Sequence, residues 1–171
     1  MASDCKRAFT LVEVVLAMAI TAFCVVTIFA LLPIGLNTAQ SSRRDTRAAY
    51  LAQQIIGDIR SSSFTNAVIL SRASDNSLTP LPMSAPLNLS TPSTNYLAGS
   101  EQDDVLSTPV SAAQYGSGLN TAGVDYLIQL SVLPTSLTNL TQVTVEVSSP
   151  AQGVLGVRSR YSFETMIANK Q

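Results

Sequence analysis

The chain has no histidine and no tryptophan, only two cysteines, and charged side chains at 12% of its 171 residues. Each shortage closes a route. Without histidine the usual general base and the commonest metal ligand are missing. Lysine occurs only at Lys6 and Lys170, which removes a Ser–Lys pair from the body of the chain. Cys5 and Cys24 fall in a leader and in an apolar run, so they frame no disulfide scaffold. The charged fraction is about half that of an ordinary soluble domain. Net charge is −1, and outside Arg43, Arg44 and Arg47 no basic stripe exists. Nucleic acid is therefore not a partner the chain recruits by itself.

What is present is an apolar run. From Val14 to Leu32 there are 19 residues without a charge, with Thr21 and Thr27 the only strongly polar ones. As a helix this run is about 29 Å long, close to the ~30 Å hydrocarbon core of a bilayer. Both threonines can return their hydroxyls to the backbone one turn back. A secretory signal has a shorter apolar run, about 7–15 residues, and a small-residue cleavage site behind it. Here "PIGLNTAQSS" follows, and Ala30 lies too deep in the run to serve. A plain anchor fits the length but leaves Glu13, at the front of the run, without a use. A lone carboxylate costs about 2.5–3.5 kcal/mol at mid-bilayer, and less near the interface.

The stretch "KRA-FTLVEVVLAMAI" resembles the signal of type IV prepilins and pseudopilins. That signal is a basic leader, a small residue, Phe, a glutamate four residues after it, and an apolar helix. The resemblance implies Lys6 and Arg7 as the leader's basic residues and cleavage between Ala8 and Phe9 by a prepilin peptidase. It further implies N-methylation of Phe9 and an assembly role for Glu13. Alanine stands at position 8 where the family norm is glycine, and Pro33 answers, more loosely, to the proline that kinks family helices. Glu13 of one subunit would then pair with the Phe9 amine of its neighbour, satisfying two charges that lipid would otherwise strand. "RAAYLAQQIIGDIRS" is similar to minor pilins of the pilus-modification class, to a minor type II secretion pseudopilin and to verrucomicrobial prepilin-type cassette proteins.

Beyond Leu32, Pro33 and Gly35 interrupt the run, and a break or kink is expected there. Ala48, Leu51, Ala52, Ile55, Ile56 and Ile59 recur at helical spacing, with Gln53, Gln54, Asp58 and Arg60 opposite. Between Ser71 and Val110, 17 of 40 positions are Ser, Thr or Pro, which reads as loop with at most one short edge strand. Glu101, Asp103 and Asp104 cluster there; calcium needs such oxygens, but the spacing is no calcium loop. Further on, Val124, Tyr126, Ile128, Leu130 and Val132 alternate. So do Val143, Val145 and Val147, then Tyr161, Phe163, Thr165 and Ile167, with Arg158, Arg160, Ser162 and Glu164 outward. "LPTSLTN" and "SSPAQGVLG" supply turns. Asn88-Leu89-Ser90 and Asn139-Leu140-Thr141 match the short N-glycosylation pattern, which arises often by chance.

These readings divide the chain into a leader (1–8), a membrane or filament-core helix (9–36), an amphipathic helix (37–64), a Ser/Thr/Pro-rich loop region (65–123) and an antiparallel sheet (124–171). The fold class is α+β, a long N-terminal helix on a C-terminal antiparallel sheet, which is also the pilin body plan. The function the resemblance implies is a structural, minor subunit of a type IV pilus-like or type II secretion filament, not an enzyme. Its partners would be prepilin peptidase, other pilin or pseudopilin subunits and the inner-membrane assembly platform, with no cofactor and no metal. Lys6 and Arg7 favour a cytoplasmic N-terminus. Arg43, Arg44 and Arg47 oppose it, and the periplasmic body follows from the family. Two other classes stay open: a membrane-anchored periplasmic display module outside any filament, and an enzyme using a carboxylate pair drawn from Asp103, Asp104, Asp125 and Glu146.

Overall fold

A computed structural model describes residues 10–72, 78–80, 87–102, 104–106, 108–137 and 139–169. The chain divides into two units, Met1–Arg43 and Arg44–Gln171. One helix, α1, runs Leu11–Ser61 through that boundary, with Pro33 inside it. The expected break is thus absent from the helix assignment. Proline removes one backbone bond, that to the Phe29 carbonyl, without ending the helix; further along, Thr38 Oγ1 donates to Ile34 O at 2.9 Å and Ser41 Oγ to Thr38 O at 3.0 Å. In the first unit the described apolar residues are exposed, and this is the described helix long and apolar enough to cross a membrane.

The second unit begins with the amphipathic half of α1. Ala48, Leu51, Ala52, Ile55 and Ile59 are buried against the sheet, each large one worth roughly 1.5–3 kcal/mol of apolar transfer. The buried face is wider than the helical spacing implied: Gln54 and Asp58, expected outward, are also buried. Asp58 is drawn in because its carboxylate accepts the Leu70 N–H at 3.2 Å, tying the helix to the chain that follows it. That chain forms the hairpin β1 (Leu70–Arg72) and β2 (Leu78–Pro80).

The main sheet has five antiparallel strands in the order β4-β3-β5-β6-β7: β3 Ser93–Gly99, β4 Val105–Leu106, β5 Tyr126–Pro134, β6 Leu140–Ser149 and β7 Ser159–Ala168. The fold is α+β and pilin-like, the helix lying on one face of a curled antiparallel sheet. The expected meander is β5, β6 and β7, in register from Leu127↔Ser148 through Ser149↔Ser159. Tyr126, Ile128, Leu130 and Val132 meet Val143, Val145 and Val147 beneath α1.

Three corrections concern the rest. The region 65–123 is not loop throughout: β3 lies inside the sheet, and α2 (Ala112–Ser117) packs on the face away from α1. The alternation of a half-buried strand is missing from β3 because its buried end, Leu97–Gly99, is covered on both sides, with Leu97 in the α1 cluster and Ala98 in the other. Val124 belongs to that second cluster, because strand parity starts only at Tyr126. Arg158 is buried rather than outward. Its guanidinium lies 5.3 Å from the Tyr115 ring centre and donates to Tyr115 O, to Gly116 O at 3.3 Å and to Ser148 Oγ at 3.2 Å. It thereby caps α2 from below. The helix's other end carries a capping box, Ser111 with Gln114.

Candidate functional site

The processing site expected at Ala8 and Phe9, with Lys6 and Arg7 before it, lies outside the described residues. Glu13 is described, and it stands in the first turn of α1. Its N–H donates to Thr10 O at 3.0 Å and to Thr10 Oγ1 at 3.4 Å. Thr10 is therefore the cap of the helix, and Thr-Leu-Val-Glu has the Ser/Thr-x-x-Glu spacing of a helix start. This role of Thr10 is legible in the sequence as that spacing alone, independently of the charge on Glu13. A carboxylate in the first turn also faces the positive end of the helix dipole. Farther along, Thr21 Oγ1 donates to Ala17 O at 2.8 Å and Thr27 Oγ1 to Phe23 O, so neither hydroxyl is stranded in the apolar run.

The acids of the body do not gather into one site. Asp104 pairs with Arg47 at 2.9 Å, and that arginine also lies over the Tyr50 ring. Asp125 accepts the Glu101 N–H at 2.8 Å and the Ser100 hydroxyl at 3.4 Å, which braces the β3–β4 turn. Glu146 accepts from the Tyr115 hydroxyl at 3.1 Å and from Arg160 at 3.4 Å. Asp103 lies outside the described residues. Among the described residues no group of three His, Cys, Asp or Glu side chains is placed to hold a metal ion. Burial, then the Glu146 charge, pushes the Tyr115 hydroxyl up to about 12. Burial, then Glu101 and Asp125, does the same for Tyr126, also to about 12. Both are structural phenols held neutral.

The site's class follows from its first turn and the helix behind it: a capped helix start with one acid, continuing into an apolar run, on a pilin-like α+β body. The model of the prokaryotic N-terminal methylation motif matches residues 4–32. The chain carries the prepilin-type signal over these residues. Such a signal ahead of an apolar helix is that of a protein anchored in the inner membrane and processed by a prepilin peptidase. No curated protein matches the chain, and no solved structure does.

Proposed function

We propose that the protein is a minor subunit of a type IV pilus-like or type II secretion pseudopilus filament, with a mechanical rather than enzymatic role. The observation that carries this reading is Glu13, four residues after Phe9 inside the matched motif, at the head of an apolar helix. Lys6 and Arg7 hold the leader in the cytoplasm, prepilin peptidase cuts between Ala8 and Phe9 and methylates the Phe9 amine, and the body faces the periplasm. The Phe9 ammonium of one subunit then meets Glu13 of its neighbour. An unpaired acid in lipid is costly and a paired one much less so, which biases assembly toward the register that pairs them. The inner-membrane assembly platform supplies the site and a separate ATPase the work. No cofactor enters. The cleaved chain keeps eight basic and ten acidic residues, a poor balance for binding DNA unaided.

The test is intact mass and N-terminal sequencing of the chain expressed with and without a prepilin peptidase. A product beginning at methylated Phe9, seen only with the peptidase, supports the reading. A product still beginning at Met1 or Ala2 under both conditions refutes it and leaves a membrane-anchored display module.

A further inference from the structure

Strand β7 is an edge of the main sheet, and among the described residues nothing pairs with its outer side. Edge strands are ordinarily blunted by shortness, bulges, prolines or charge. The other edge, β4, is two residues long and has β1 beside it. β7 is ten residues long, contains no proline and keeps register with β6 from Ser149↔Ser159 to Leu140↔Ala168 without a bulge. Just past that ladder the Asn169 N–H donates to Asn139 O at 2.9 Å. Backbone groups alternate along a strand, so the odd-numbered residues of β7 turn theirs to β6. Arg160, Ser162, Glu164 and Met166 turn theirs outward. The helix does not roof this edge: Leu51 stands over Gly99 on β3, and Tyr161, Phe163 and Thr165 stay half-exposed.

Charge is the one device left on β7, and its charges are spaced to attract a copy of themselves. Arg160 and Glu164 lie on the face away from α1, with Ser162 midway between them. In antiparallel pairing, opposite residues share a face, so two copies of one strand pair around a single central residue. A two-fold axis at Ser162 sets Arg160 of each copy opposite Glu164 of the other. It also sets Tyr161 opposite Phe163, an aromatic cross-strand pair on the α1 side. An axis at Arg160 or Glu164 brings like charges face to face. One at Phe163 sets Arg160 against Met166. One at Tyr161 sets Glu164 against Arg158, whose guanidinium is committed beneath α2. The neighbouring charges leave this pairing open. Glu146, one strand inward, meets one arm of Arg160 at 3.4 Å and the Tyr115 hydroxyl, and the Arg160 side chain is still 55% exposed. Glu164 accepts from Gln142 at 3.2 Å and is exposed. On the α1 side Asp45, with Arg44 next to it in the chain, accepts the Tyr161 hydroxyl, and Arg60 donates to Thr165, so both contacts stay within one body.

We propose that two copies of the body pair edge to edge through β7, antiparallel and centred on Ser162, into one continuous sheet. Residues 160, 162 and 164 then exchange backbone bonds across the axis, and the Arg160–Glu164 pair forms twice by symmetry. The axis stands perpendicular to the sheet and reverses one body's α1 relative to the other's. The pair is therefore one of copies outside any filament whose subunits all point one way, and it depends on neither cleavage nor filament assembly.

The test uses the full chain with Cys5→Ser and Cys24→Ser, in mild detergent with micelles in excess, so that the apolar helices rarely share one. Ser162→Cys and, as a control, Leu137→Cys, exposed in the β5–β6 turn, are treated with the short thiol crosslinker dibromobimane. Crosslinked dimer should form several-fold faster at position 162. Adding Arg160→Glu to Ser162→Cys leaves two acids on the edge, and adding Glu164→Arg leaves two bases. Each should lower the rate several-fold by itself, and an equimolar mixture of the two should recover it. Recovery also shows that both variants fold. Equal rates at 162 and 137 overturn the proposal, as do rates indifferent to charge reversal or a mixture that does not recover. A dimer seen by light scattering while position 162 stays silent assigns association to another surface and overturns it too.

Discussion

At Gly99 the sheet lies close beneath Leu51 of the helix, and this makes their packing measurable. A Cβ built there would lie 3.2 Å from Leu51 Cδ1, 3.4 Å from Ile128 Cδ1 and 3.5 Å from Tyr126 Cβ. Leu51 is fully buried. Leu51→Ala should cost about 2–5 kcal/mol through lost transfer energy and the cavity left behind. Gly99→Ala overpacks the contact by about 1–2 kcal/mol, offset by about 0.5–1 kcal/mol from a stiffer unfolded chain. In the double variant the Leu51 methyls are gone and the new Cβ has room, so the clash vanishes while the entropic gain remains. The double variant should therefore be about 1–2 kcal/mol more stable than the two single costs added together. Urea unfolding of residues 37–171 at constant slope measures all four corners. Additivity within about 0.3–0.5 kcal/mol would refute the reasoning, because contacting groups must couple.

Four further expectations follow from particular residues. Removing residues 1–36 should leave a soluble monomer rich in β-structure by circular dichroism and light scattering; precipitation would mean that the apolar helix completes the core. Glu13→Val should leave peptidase cleavage intact and abolish incorporation into filaments, read by mass spectrometry and by assay of sheared fractions. Arg158→Leu should destabilise the body by roughly 2–3 kcal/mol in urea, because it strips the Tyr115 and Gly116 carbonyls and the Ser148 hydroxyl of a buried donor. For Tyr115 and Tyr126 the folded pKa stands above the ordinary 10, so their contribution is whole below pH 10 and lost as pH rises towards 12. The loss is at most about 2–3 kcal/mol per tyrosine, and Tyr126→Phe should flatten part of it in urea midpoints taken against pH.

Local chemistry was enough for those parts of the protein that answer to water or lipid one face at a time. The 19 uncharged residues from Val14 to Leu32, the acid ahead of them and the basic leader specify a membrane-length helix with a processing signal. The alternation at Tyr126–Val132, Val143–Val147 and Tyr161–Ile167 specifies three half-buried strands, because each has one solvated face. The 3.6-residue spacing from Ala48 to Ile59 specifies the helix face that covers them. Where two layers close on one segment, that contrast disappears. β3 is hidden from pattern reading because α1 lies on one side of it and α2 on the other. Asp58 and Arg158 read as solvent-facing charges until the fold brings a backbone N–H to one and backbone carbonyls to the other. Pro33 reads as a break, yet the helix passes through it. Which residues are charged or apolar is written in the chain. Which of them water can still reach is decided only when distant segments pack, because burial depends on neighbours that sequence spacing does not contain.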